Sequence, residues 1–153
     1  MLEDYVKVFS ALLTPVLAIV AVYIAWQQWR TSHLKLKHDL YERRLVVYLA
    51  VMDFLACIMR NTKATDAEMI NFLQKTRESY FLFSPELADY LNEIHNRSVD
   101  LQYQSTMLND PMSSLPVGEK RTQIAHEKSE TLKWCTAQFE IARQKFGTYM
   151  RLS

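Results

Sequence analysis

Hydrophobic and polar positions along the chain fall into two regimes. From Val8 to Trp26 the sequence reads VFSALLTPVLAIVAVYIAW, 19 residues without a charge. Beyond it, apolar residues recur every three or four positions, the spacing of one face of an α-helix. A helix apolar on every face is unusual in a soluble domain of this size. At 1.5 Å per residue the run measures about 28 Å, near the ~30 Å of a bilayer's hydrocarbon core. It predicts one transmembrane helix, with Tyr23, Trp26 and Trp29 at the C-terminal interface and Pro15 near the middle. A cleaved signal peptide fits less well, because Glu3 and Asp4 outweigh Lys7 before the run and no small-x-small site follows it. Arg30, Lys35, Lys37, Arg43 and Arg44 gather after the run. That bias predicts a single-pass protein of the bacterial inner membrane, N-terminus periplasmic and C-terminal part cytoplasmic. The implied domains are a tail and span over residues 1–29 and a helical bundle over 30–153.

No Gly or Pro stands between Pro15 and Pro85, so the first helix can run on to about Arg60. Its inward positions are Leu40, Val47, Val51, Phe54, Leu55 and Ile58. Thr65-Asp66-Ala67-Glu68 is a capping box that opens a short helix to about Tyr80, with Met69, Leu73, Thr76 and Tyr80 on the inner side. Phe81-Leu82-Phe83 forms a dense apolar plug. Ser84-Pro85-Glu86 then starts a third helix carrying Leu87, Leu91, Ile94, Leu101 and Leu108, with Ser98 and Ser105 in the remaining seam positions. Residues 109–118 (NDPMSSLPVG) read as a loop. The last helix spans about Glu119 to Met150, with Ile124, Leu132, Cys135, Phe139, Ala142 and Phe146 as its stripe. The fold class is therefore all-α: one N-terminal transmembrane helix continuing into a cytoplasmic four-helix bundle.

Composition agrees and removes several chemistries. The 153 residues include only 2 Gly and 4 Pro, too few for a β-sandwich, a Rossmann turn or a P-loop. Net charge is +1, so no global basicity points to nucleic acid. Cys57 and Cys135 lie far apart, which excludes a disulfide scaffold or a cysteine zinc site and suits a reducing compartment. No cofactor and no metal site are expected. Among the candidate groups, Arg121 and His126 have the R-x4-H spacing, in which an arginine can stabilise phosphorane charge while a histidine moves a proton. Surface placement on a charged helix start is the plainer account of both. His33 and His38 are five apart, not the four that a helical metal pair prefers. Asp39 and Arg43 read as an exposed helix pair. Arg30, Lys35, Lys37, Arg43 and Arg44 either set topology alone or also meet anionic lipid headgroups. Within the apolar run, Ser10, Thr14 and Ala18 are spaced by four and Ala11, Ala18 and Ala25 by seven. Small residues at such intervals allow close helix approach, which predicts a homo-oligomer.

Three stretches carry a resemblance: Tyr23-Ile-Ala-Trp-Gln-Gln-Trp-Arg running into Asp39-Leu-Tyr-Glu-Arg-Arg; Phe81-Leu-Phe-Ser-Pro-Glu with Tyr90-Leu-Asn-Glu-Ile; and Trp134 with Gln138-Phe139 and Phe146-Gly-Thr-Tyr149. Together the chain resembles small bacterial proteins with one N-terminal span and a cytoplasmic helical domain. In architecture it is also similar to the membrane accessory proteins that accompany Cas13b systems. That likeness implies a degenerate HEPN-type bundle, a ring-shaped oligomeric pore and anti-phage defence. It carries Arg121 and His126 over as an R-x4-H remnant, with Thr122 departing from the Asn, Asp or His usual after the arginine. The expected function is an oligomeric membrane effector that permeabilises or depolarises the inner membrane, without catalysis of its own. Its partners would be the lipid bilayer, other copies of itself and a cognate defence protein. The alternatives are a membrane-tethered HEPN-like ribonuclease that takes RNA as a dimer, and an anchored adaptor.

Overall fold

The computed structural model describes residues 2–109 and 118–150, without the side chains of residues 2–14 and of Leu34. Five helices follow one another: α1 (Leu2–Asn61), α2 (Asp66–Thr76), α3 (Ser79–Leu82), α4 (Pro85–Asn109) and α5 (Glu119–Gly147). There is no strand among the described residues. The chain divides into two compact units, Met1–Leu40 and Tyr41–Ser153. The expected loop over 109–118 falls almost wholly outside the described residues.

The all-α expectation agrees with this architecture, but the transmembrane helix does not. No helix among the described residues is long and apolar enough to cross a membrane. Of the run Val8–Trp26, the described side chains are the twelve from Pro15 to Trp26. After Trp26, Gln27, Gln28 and Arg30 end the apolar stretch. Residues 8–14, the remainder of the expected span, lie outside the described side chains.

In the unit Tyr41–Ser153 the core forms where apolar positions alternate by three and four. Val47, Val51, Phe54 and Ile58 of α1 are buried, and so are Leu87, Leu91, Ile94, Ser98, Leu101 and Ser105 of α4. That 3-4 alternation keeps a narrow stripe facing the neighbouring helix, as in coiled-coil packing. Leu40, by contrast, remains 37% exposed, so the inward stripe of α1 begins only at Val47. On α5 the buried set is Thr131, Cys135, Gln138, Ala142 and Phe146. Leu132 and Phe139 are only half-buried, because the buried stripe runs through the residues just before them, Thr131 and Gln138. Small and polar residues at the seam let the helices approach closely. Three of them are satisfied within their own helix, where Ser98 Oγ donates to His95 O (2.6 Å), Thr131 Oγ1 to Glu127 O (3.0 Å) and Gln138 Nε2 to Trp134 O (3.0 Å), while Ser105 Oγ donates to Thr62 O (3.4 Å).

α1 stops where Thr62 takes φ 51°, in the left-handed region. The capping box then forms as its sequence predicts. The Thr65 N–H donates to Glu68 Oε2 (2.9 Å), and the Glu68 N–H donates to Thr65 Oγ1 (3.3 Å). The bond from the Thr65 backbone, helped by the Thr65 hydroxyl, Cys57 and the charge of Arg60, holds the Glu68 carboxyl below its ordinary 4.5 despite partial burial. A depressed folded pKa means that this stabilisation is complete above pH 4.5 and is lost as pH falls through the folded value. Glu68→Ala is therefore expected to cost about 1 kcal/mol at neutral pH, with the gap from wild type closing below pH 4.5 in urea titrations run at each pH.

α2 ends at Thr76, four residues short of the expected Tyr80. The Thr76 hydroxyl turns back onto Phe72 O (2.8 Å), and a separate one-turn helix follows. The break rotates the next residues outward. Tyr80 is 70% and Phe81 85% exposed, Leu73 is also exposed, and Phe72 takes the inner position against Phe54, with ring centroids 4.5 Å apart. Of the expected plug only Phe83 is buried.

Candidate functional site

Arg121 stands in the first turn of α5, where its own N–H donates to Gly118 O (3.1 Å). Its Nη2 donates to Leu108 O (3.1 Å), one of the carbonyls that the end of α4 leaves without an intrahelical partner. The arginine is thus a positive cap on the C-terminal end of α4. His126, five residues on, is rotated about 140° around the helix. It is exposed and lines an open cleft of about 500 Å³ between α4 and α5, with Arg97, Asp100, Gln104, Glu127, Glu130 and Trp134 among its walls.

The charge of that cleft argues against a polyanion. One arginine faces three carboxylates. Arg97 already lies over the Trp134 ring (5.1 Å) and pairs with Glu93 (3.8 Å). Glu130 accepts from Lys133 Nζ (2.8 Å), and that bond, with the charge of Lys133, keeps its carboxyl below the usual range. RNA binding rests on cations that neutralise phosphates, and here carboxylates outnumber them. Gln104 Oε1 is buried here without a hydrogen-bond partner among the described residues.

The five cations expected to act as one membrane-proximal cluster have separate tasks. Arg30 lies 5.9 Å from the Trp26 ring centroid, and Lys35 and Lys37 are exposed. Arg43 Nη1 pairs with Glu78 Oε2 at 3.1 Å, so its partner is on another element and not the expected Asp39. Arg44 is half-buried: its Nε donates to Leu82 O (3.2 Å), its Nη1 to Tyr149 O (3.0 Å), and its guanidinium faces Phe83 and Tyr149. Bonds of such range are invisible in a sequence, where Arg43 and Arg44 look like two more surface charges. Among the small residues expected at an oligomer interface, Ala18 and Ala25 are exposed, while Ser10, Ala11 and Thr14 lie outside the described side chains.

A second cleft, between α1 and α2, holds about 380 Å³ and is lined by Asp53, Cys57, Arg60, Glu68 and Lys75. Its acids and bases alternate, and Glu68 is committed to the capping box. Cys135 is buried, and burial pushes its thiol up to about 11, so it is no nucleophile. No group of three His, Cys, Asp or Glu able to hold a metal exists among the described residues. His33 meets the edge of Trp29, with centroids 4.7 Å apart. Comparison with protein-family models, curated proteins and solved structures gave no match to this chain.

What the structure does bring together is apolar surface. Val16, Leu17, Ile19, Val20, Val22, Tyr23, Ile24, Trp26 and Trp29 are all between 47% and 70% exposed. Leu36 adds 57%, beyond the point where the uncharged run ends. Grouping residues 30–44 by their cations hides this continuation, although the spacing from Trp26 through Trp29 and Leu36 to Leu40 is present in the sequence.

Proposed function

We propose that this is a non-catalytic assembly protein, a helical chain that acts by docking onto other polypeptides, its own copies first, through exposed helix surface. The observation that carries the reading is the apolar stretch Val16–Trp29, in which nine large side chains are about half or more exposed. Monomeric soluble proteins rarely leave contiguous apolar patches beyond a few hundred Å² in water, and larger ones mark interaction sites. The chemistry elsewhere supports it. Arg121 is occupied as a helix cap, and His126 sits among carboxylates that repel phosphate. Sedimentation velocity of the full chain over a wide concentration range is expected to give at least twice the 18.0 kDa of one copy. A single 18.0 kDa species at every concentration overturns the reading. Single-stranded RNA incubated with the protein is expected to stay intact. Cleavage abolished by His126→Ala would establish a ribonuclease instead.

A further inference from the structure

We infer that two copies of the chain pair in parallel and in register through a coiled-coil seam over residues 22–40. This deepens the assembly reading and rests on it. Val22, Trp26, Trp29, His33, Leu36 and Leu40 succeed one another at intervals of four, three, four, three and four. At 100° per residue these six stay within a stripe about 80° wide, the width of a coiled-coil seam. All six are exposed, from 37% at Leu40 to 70% at Val22 for the apolar ones. The same alternation is what the chain buries elsewhere, at Val47, Val51, Phe54 and Ile58 and along α4. The six are already partly covered by their own helix, so pairing removes roughly 500 Å² of their surface per copy, and the flanking side chains add to this toward the ~800 Å² per partner of a standard stable interface.

The flanks choose the orientation. Arg30 and Lys37 each follow a seam residue, Trp29 and Leu36, and so share one flank. Ala25, Ser32 and Asp39 each precede one, at Trp26, His33 and Leu40, and share the other. Antiparallel pairing would set Arg30 and Lys37 against their own copies. Parallel pairing sets that cationic flank against the neutral and acidic one. In register it also places His33 against the second copy's His33, and a lone polar residue inside an apolar seam penalises every shifted alignment.

The test uses the full chain with Cys57→Ser and Cys135→Ala, so that one introduced thiol reports alone. Under mild oxidation, Leu36→Cys on the seam is expected to link most of the protein into disulfide dimers. Thr31→Cys, on the outward face, is expected to stay largely monomeric on denaturing gels. Trp26→Glu, at an exposed position that leaves the circular dichroism of the bundle unchanged, is expected to weaken dimerisation at least tenfold in sedimentation. If the wild type is monomeric throughout, the assembly reading itself fails. If it assembles but Leu36→Cys links no better than Thr31→Cys, the seam fails while assembly stands. Flotation of the wild type with phosphatidylcholine–phosphatidylglycerol vesicles, together with loss of the Leu36→Cys link, would assign the stripe to lipid and overturn the seam.

Discussion

Phe146→Ala is expected to lower the unfolding free energy by about 4 kcal/mol, within the 3–5 kcal/mol typical of a buried phenylalanine truncation. The ring is 1% exposed and lies against Tyr48 (centroids 5.4 Å) and Phe83 (5.2 Å). Phe83 in turn meets Tyr149 edge-on at 5.3 Å. Truncation removes apolar area and two ring pairs at once. It also leaves a cavity whose walls belong to α1, α5 and the segment between α3 and α4, so no single side chain can swing in to fill it. Urea denaturation checks this, with the midpoint falling by about 2 M at an unchanged slope of roughly 2 kcal/mol/M. Phe146→Leu, which retains most of the volume, should lose less than half as much. Equal losses for both variants would show that the ring geometry, and not the filled space, supplies the stability.

Arg44→Met is expected to cost about 2–3 kcal/mol, more than any exposed charge in the chain. Its guanidinium joins three distant parts of the bundle: α1 itself, the Leu82 carbonyl and the Tyr149 carbonyl. Two rings, those of Phe83 and Tyr149, lie 5.9 Å and 5.8 Å from its central carbon, and cation–π attraction strengthens as water is excluded. Tyr149 is itself held by a 2.7 Å bond from its hydroxyl to Ser84 Oγ. Removing the arginine strands two carbonyls and loosens the packing that they face. Arg44→Lys separates this role from that of a simple surface cation. Lysine keeps the charge but cannot offer two donors in a fixed fork, so about half of the loss should persist. Full recovery of thermal stability by lysine would show that the charge alone mattered.

Much of the helical framework is legible in the residues. The Thr65–Glu68 capping box, the Ser84-Pro85 start of α4, and the alternation from Leu87 through Ser105 all rest on contacts within a few positions of one another, so local chemistry suffices. The end of α2 is different. Nothing in the run Gln74–Phe81 forbids a helix, and the break arises where Thr76 bonds back to Phe72 while Glu78 is drawn to Arg43 on another helix. Exposure of Tyr80 and Phe81 follows from that break. The apolar run Val8–Trp26 shows the opposite failure. Hydropathy by itself reads it as a span, whereas no helix among the described residues is long and apolar enough to cross a membrane.

The candidate site divides along the same line. Spacing alone selected Arg121 and His126 and grouped five cations. The folded chain gives Arg121 to the Leu108 carbonyl, surrounds His126 with carboxylates, and places Arg44 between two aromatic rings. By itself the sequence determined that the chain is helical, where most helices begin and which stripes are apolar, because capping and periodicity act over one or two turns. Only the tertiary structure decided which of those stripes find a partner within the chain and which charges are already spent. Burial and ion pairing depend on residues 35 to 105 positions away, and no local pattern encodes that distance.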